Sequence, residues 1–261
     1  MNDQAFSGDR EAVIEKSFKS GISKLVEIAC SAKEWEPAAA LCAKYPARIY
    51  ACFGIHPGCS EDLCPENLAQ LDQYLKKIFS KGLGEIGLDY YWDAAKKEQQ
   101  SILLEAMISL SNRLGLVSVF HARSGKDSKK DNAYCDLATA LKHKWNYSPK
   151  GRRFRGILHC FSGGHEDAGE ALDMGLALGV NGTFTYKKND ELRDIVKKAG
   201  IERIVLETDC PYLPPQSARG QRNDPSYIPG IAGSVAEHLG ISSGRAAEIT
   251  TANAMEIFGA L

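Results

Sequence analysis

Residues 82–88 read GLGEIGL and residues 116–122 read LVSVFHA. Each is a short apolar run without polar alternation, the pattern of a strand covered on both faces of a parallel sheet. Five further runs have the same character: 24–29 (KLVEIA), 49–55 (IYACFGI), 156–161 (GILHCF), 176–181 (LALGVN) and 203–208 (RIVLET). Helical patterns fill the intervals 9–20, 65–79, 96–114, 132–143, 166–175 and 189–199. Pro65 suits a first helical position. The tail predicts three more helices, over 227–239, 243–251 and 252–258. Strands alternating with helices mean a parallel α/β fold, either a (β/α)8 barrel or an open doubly wound sheet. No Gly-x-Gly-x-x-Gly or P-loop pattern follows a strand, which disfavours a nucleotide-binding open sheet. A TIM-type barrel has eight strands. Seven are readable here, and the chain opens on a helix where such a barrel should open on a strand. Without repeat, linker or low-complexity tract, residues 1–261 are expected to form one domain.

Composition narrows the function. The 261 residues are 44% hydrophobic and 25% charged, as in ordinary globular proteins. Lys and Arg number 32 against 33 Asp and Glu, a net charge of −1 that excludes a broadly basic nucleic-acid coat but not a local basic patch. Eight cysteines without a Cys-x-x-Cys pair argue against a disulfide scaffold or zinc finger and for buried thiols in a reducing compartment. The polar start MNDQ lacks an apolar signal core, and no apolar run reaches membrane-spanning length. A soluble cytoplasmic protein is expected.

The polar residues within the apolar runs favour the barrel, where function gathers at the carboxyl ends of several strands. Glu85 lies late in its strand, His121 and His159 near the ends of theirs, and Glu207 and Asp209 at the end of the last. Taken singly, Glu85 reads equally as a salt-bridged carboxylate, and each histidine as a hydrogen-bonded core residue. Together they form a mixed nitrogen and oxygen ligand set suited to a divalent ion. Asp209 reads as a turn cap, or as a ligand that also accepts a proton from attacking water. Glu207 shares its side of the strand and either binds metal or orients a neighbouring ligand. His56, in GIHPG, is a loop residue or a donor to substrate. Arg123 follows His121 closely, and Arg219, Arg222 and Asn223 lie in the loop LPPQSARGQRNDP. Arginines there read as solvated charge or as bidentate phosphate contacts. Lys150, Arg152, Arg153 and Arg155 precede a strand and are expected at the opposite surface.

These motifs resemble the TatD-type metal-dependent deoxyribonucleases of the amidohydrolase-like barrels. The resemblance rests on GIHPG (54–58), GEIGLDYY (84–91), HAR (121–123), HCFSG (159–163), GTFTYKK (182–188), ETDCPYL (207–213), RGQRNDP (219–225) and the terminal ANAMEIFG, and runs from about Gly8 to the end. It implies a phosphodiesterase barrel acting 3′ to 5′ on DNA, with single-stranded 3′ ends as partner. It implies one or two divalent ions (Mg, Mn or Zn) held by Glu85, His121, His159 and Asp209. Asp209 would also serve as base, with Glu207 beside the metals and His56, Arg123 and Arg222 toward phosphate. The family opens on a strand ending Asp-Thr/Ser-His-x-His, which has no counterpart here; the first histidine is His56. A barrel short of that strand is expected to have unpaired edges and a metal site short of two imidazoles. Two rivals follow: an amide or ester hydrolase on the same scaffold, and an inactive barrel that binds nucleic acid or a protein partner.

Overall fold

The structure is a computed structural model that describes residues 1–93 and 96–259. Seven strands appear where the apolar runs predict them: β1 Leu25–Ala29, β2 Ile49–Phe53, β3 Ser80–Asp89, β4 Ser118–Arg123, β5 Gly156–Leu158, β6 Leu176–Val180 and β7 Ile204–Leu206. Each pairs in parallel with its sequence neighbour, in the order β1 to β7. This is the curled sheet of a TIM-type barrel with seven strands. β1 and β7 are its two edges, and among the described residues no strand joins them.

The helices are α1 Arg10–Lys19, α2 Ala32–Lys44, α3 Pro65–Leu75, α4 Tyr90–Asp93, α5 Lys97–Leu114, α6 Ala133–Lys144, α7 His165–Asp173, α8 Asp190–Ala199, α9 Ile228–Leu239 and α10 Ser243–Phe258. None is long and apolar enough to cross a membrane. Three differ from expectation: α4, where no helix was expected, α2 and α10. The sequence reading assigned nothing to α2, whose Pro37 removes a backbone donor inside the helix. Trp35, Ala38, Leu41 and Cys42 nevertheless form a buried stripe, and the Trp35 indole donates to the Gly54 carbonyl at 3.1 Å. The expected break at 251–252 is absent, and α10 runs through it.

Strand residues alternate between two apolar clusters, as the period-2 pleat requires. Phe53, Phe120, Leu158, Leu178 and Ile204 pack outward in the large core with the helices. There Phe53 stacks on Tyr74 at 5.2 Å, and Phe120 meets Trp145 edge-on at 4.9 Å. Cys52, Val119, Ile157, Ala177 and Val205 form the second cluster, inside the curl. Stepping two residues along from Val119, Ile157 and Val205 leads to His121, His159 and Glu207. The inner face of the barrel therefore emerges at its carboxyl ends as a row of ionisable side chains.

Candidate metal centre

β5 and β7 end earlier than the apolar runs suggest, so His159, Glu207 and Asp209 sit just beyond their strands. Glu85 lies within β3, where the register against β4 shifts between Gly84 and Ile86. Such a bulge re-aims a side chain beside a site. Gly87 then passes so close to β4 that a Cβ would lie 1.9 Å from the His121 carbonyl oxygen. Only glycine lets the two strands meet there. Cys160 and Asp209 adopt positive φ (47° and 57°), a costly conformation away from glycine that concentrates at functional sites.

The residues converge. His121 Nδ1 lies 2.7 Å from Glu85 Oε1, and its Nε2 lies 3.1 Å from Asp89 Oδ2. His159 Nδ1 lies 2.8 Å from Glu207 Oε2, while its Nε2 faces Asp209 Oδ1 at 3.4 Å and Glu85 Oε1 at 3.8 Å. The other Glu207 oxygen accepts the Cys160 N–H at 2.6 Å. Both carboxylate oxygens of Glu207 are thus committed to orienting His159 and its loop. Gly179 makes room for them: a Cβ there would lie 2.4 Å from Glu207 Oε2.

Electrostatics follow from this packing. Burial disfavours the charged form of His121, but Glu85 and Asp89 outweigh it and carry the imidazole up to about 9. Burial is likewise overcome at His159, which Glu207 and Glu85 raise well above the ordinary histidine value. Against burial, the same two histidines hold Glu85 well below the usual carboxylate range. His56 goes the other way: burial lowers it, so its ring is neutral near pH 7.

A tight cluster of carboxylates and imidazolium protons in an apolar barrel is what a cation would replace. With metal–ligand bonds of about 2.0–2.2 Å, tetrahedrally arranged donors stand roughly 3.4 Å apart. The 3.4 and 3.8 Å separations around His159 Nε2 match that spacing. Ligand atoms of His56, Glu85 and His121 lie within 4.8 Å of one another, as do those of His159, Cys160 and Glu207. The donor set fits a divalent ion.

The structure brings His56 into this group, its ring 4.7 Å from that of His121. Arg123 follows on β4, paired in register with Asp89. The other arginines lie elsewhere. Arg222 forks onto the Asp9 carboxylate at 2.9 and 2.6 Å, donates to the Ala5 carbonyl and covers the Phe6 ring. Its donors serve the N-terminal segment. Arg219 stacks over Tyr186 at 4.4 Å. Buried Asn223 staples the loop after β7 by donating to the carbonyls of Thr208 (2.7 Å) and Tyr212 (2.5 Å). The basic cluster expected to be plain surface is partly structural. Arg155 donates to the Trp145 and Tyr147 carbonyls, and Arg153 binds Asn253 and Glu256 of α10. All eight cysteines are free, but Cys42 and Cys52 alone are fully buried and Cys135 is exposed.

Sequence reasoning missed Asp89 and two thiols. Asp89 stands four residues after Glu85 on the same side of β3, a period-2 signal that was available. Cys30, just past β1, lies 3.8 Å from Glu85 Oε2, and Cys160 Sγ lies 4.0 Å from Asp209 Oδ2. Nothing local marks either thiol as a neighbour of a carboxylate 55 or 49 positions away.

Comparison with known proteins gives the family. The family model described as "TatD related DNase" matches residues 1–259. An uncharacterized metal-dependent hydrolase of Bacillus subtilis, YabD, is 31% identical over 258 residues, 99% of this chain and 96% of that one. A 3′-5′ ssDNA/RNA exonuclease TatD of Erwinia amylovora is 29% identical, covering 97% of this chain and 95% of its own. The crystal structure of the TatD homologue YjjV from Escherichia coli superposes with a TM-score of 0.86 at 29% identity, over 98% of this chain and 94% of that one. With the family matched along nearly its whole length and the fold shared, the chain belongs to the TatD family of metal-dependent hydrolases.

Proposed function

We propose that this protein hydrolyses phosphodiester bonds in DNA, removing nucleotides from single-stranded 3′ ends. One observation carries the reading: Glu85, His121, His159 and Asp209 converge on one barrel face, with Arg123 two positions beyond His121. The exonuclease name borne by the Erwinia relative supports the same substrate class. Near-neutral net charge suits a strand end better than coverage of long duplex.

Glu85, His121, His159 and Asp209 would hold the divalent ion, which when bound polarises the phosphoryl oxygen and acidifies the attacking water. Asp209 takes the proton of that water at a carboxylate oxygen. Glu207 is a positioning residue: by accepting from His159 Nδ1 it leaves Nε2 directed at Glu85 and Asp209. Asp89 performs the same service for His121. Arg123 neutralises charge that develops on the phosphate. His56, neutral through burial, donates to a substrate oxygen without adding charge.

The test is nucleotide release from 3′-labelled single-stranded DNA with Mg²⁺ or Mn²⁺, beside His121→Ala and Asp209→Asn proteins. Metal-dependent release that both substitutions abolish is expected. Full activity in Asp209→Asn would overturn its role as base, and absence of release by the wild type would overturn the substrate assignment.

A further inference from the structure

Building on the phosphodiester reading, we propose that Tyr91 and Trp92 form a stacking platform for a nucleobase of the strand whose phosphate Arg123 engages. Both aromatics lie in the short helix α4, which begins at Tyr90 directly after β3. Trp92 is 76% exposed and Tyr91 36%. Leaving a large indole in water is a cost that a partner's ring would remove. The two rings meet edge-on at 5.0 Å, and the Arg123 guanidinium lies 4.0 Å from the Tyr91 centroid and 5.4 Å from that of Trp92. A cation for phosphate and π-faces for a base therefore stand side by side, the combination that binds single strands without reading their sequence.

The platform is wired to the candidate metal centre. Asp89 Oδ1 accepts the backbone N–H groups of Tyr91 (2.9 Å) and Trp92 (3.3 Å), while its Oδ2 meets His121 Nε2. One carboxylate thus fixes both the aromatic turn and a proposed ligand. Beside them opens a cavity of about 350 Å³, lined by Tyr91, Arg123, Ser124, Asn132, Tyr134 and Ser162. Its size falls in the range of small-ligand sites, and its hydroxyl and amide lining suits a sugar or base edge. A larger cavity, about 550 Å³, lies between α1 and α2 among residues that touch none of these groups.

The chain supplies its own reporter. Trp35 and Trp145 are buried, so Trp92 is the indole a ligand can reach. The probe is a dye-labelled oligothymidylate with phosphorothioate linkages, compared with an abasic strand of equal length. Affinity is followed by anisotropy and ring contact by tryptophan emission, both with Mg²⁺ present. The intact strand is expected to bind roughly tenfold tighter than the abasic one (about 1.4 kcal/mol) and to quench tryptophan emission. Trp92→Leu should collapse that ratio toward one, and Trp92→Phe should retain most of it. Equal affinity for the two strands, or a base preference that survives Trp92→Leu, overturns the platform. Cleavage of the ordinary strand is scored separately. Base-dependent binding without cleavage keeps the platform and refutes the hydrolysis; cleavage with base-independent binding does the reverse.

Discussion

Metal binding to this protein should be strongly pH-dependent, because the carboxylates around the histidines proposed as ligands favour their imidazolium forms. In the metal-free protein Glu85 and Asp89 carry His121 from 6.5 to about 9. A shift of that size corresponds to roughly 3 kcal/mol of preference for the protonated ring. The folded value lies above the unfolded one. The stabilisation is therefore complete below pH 6.5 and disappears as pH rises through about 9. A divalent ion needs the neutral ring, so protein-bound protons compete with it. At pH 7, two units below the folded value, competition at His121 alone weakens metal affinity about 100-fold relative to pH above 9. His159, also raised, steepens the dependence further.

Two measurements check this. Titration with Mn²⁺ or Zn²⁺ from pH 6.5 to 9 should show affinity rising at least tenfold per pH unit, with proton release detectable by calorimetry in buffers of different ionisation heat. Thermal unfolding of chelator-treated protein should show the opposite trend in the same window, with the His121 contribution fading as pH climbs. A flat metal affinity across pH 6.5–9 would refute the reasoning, since it would mean that neutral imidazoles already face the carboxylates.

Other consequences are sharper in place than in size. Glu207→Gln should weaken metal binding roughly 10–100-fold, the usual cost of losing a partner behind a histidine ligand, with little loss of secondary structure by circular dichroism. Gly179→Ala should imitate it, because the added Cβ occupies the space of Glu207 Oε2, and the two changes combined should cost less metal affinity than their sum. Arg123→Ala should raise KM for oligonucleotides more than for an uncharged ester, whereas equal effects would favour the amide or ester hydrolase. Phe120→Ala, emptying a fully buried position against Trp145, should cost about 3–5 kcal/mol in chemical denaturation.

The sequence reading succeeded where one physical cause dominates. Strands buried on both faces leave runs with no alternation, and all seven appear. Errors arose where a second cause intervened. The apolar run 156–161 outlasts β5 because the chain turns at Cys160, at positive φ, while Phe161 stays in the core and its N–H donates to the Gly179 carbonyl of β6 at 3.0 Å. α2, to which no element was assigned, forms despite the donor lost at Pro37, because Trp35, Ala38, Leu41 and Cys42 bury one stripe. The break foreseen at 251–252 falls beside two consecutive threonines, Thr250 and Thr251. Thr250 Oγ1 donates back to the Ala246 carbonyl at 2.8 Å, so the hydroxyl is satisfied and α10 continues.

The site was legible to the extent that its members contradict their surroundings. A carboxylate or imidazole inside an apolar run stands out, but Glu85, His121 and His159 each had an ordinary reading alone, and only their shared position at strand ends pointed to a ligand set. Partners that conform to their surroundings do not stand out. Arg222 read as solvated charge or as a phosphate contact; in the structure it forks onto Asp9, 213 positions away, a partner no local pattern marks. Glu207 shows what only geometry supplies. Its spacing from Asp209 allowed either ligation or orientation, and no sequence signal separates the two. In the structure one oxygen faces the His159 ring and the other accepts the Cys160 backbone N–H, in a space that Gly179 keeps open, an arrangement that supports the orienting role proposed above. Asp209, two residues on, faces His159 Nε2 at 3.4 Å, a separation compatible with the shared ion proposed for the two.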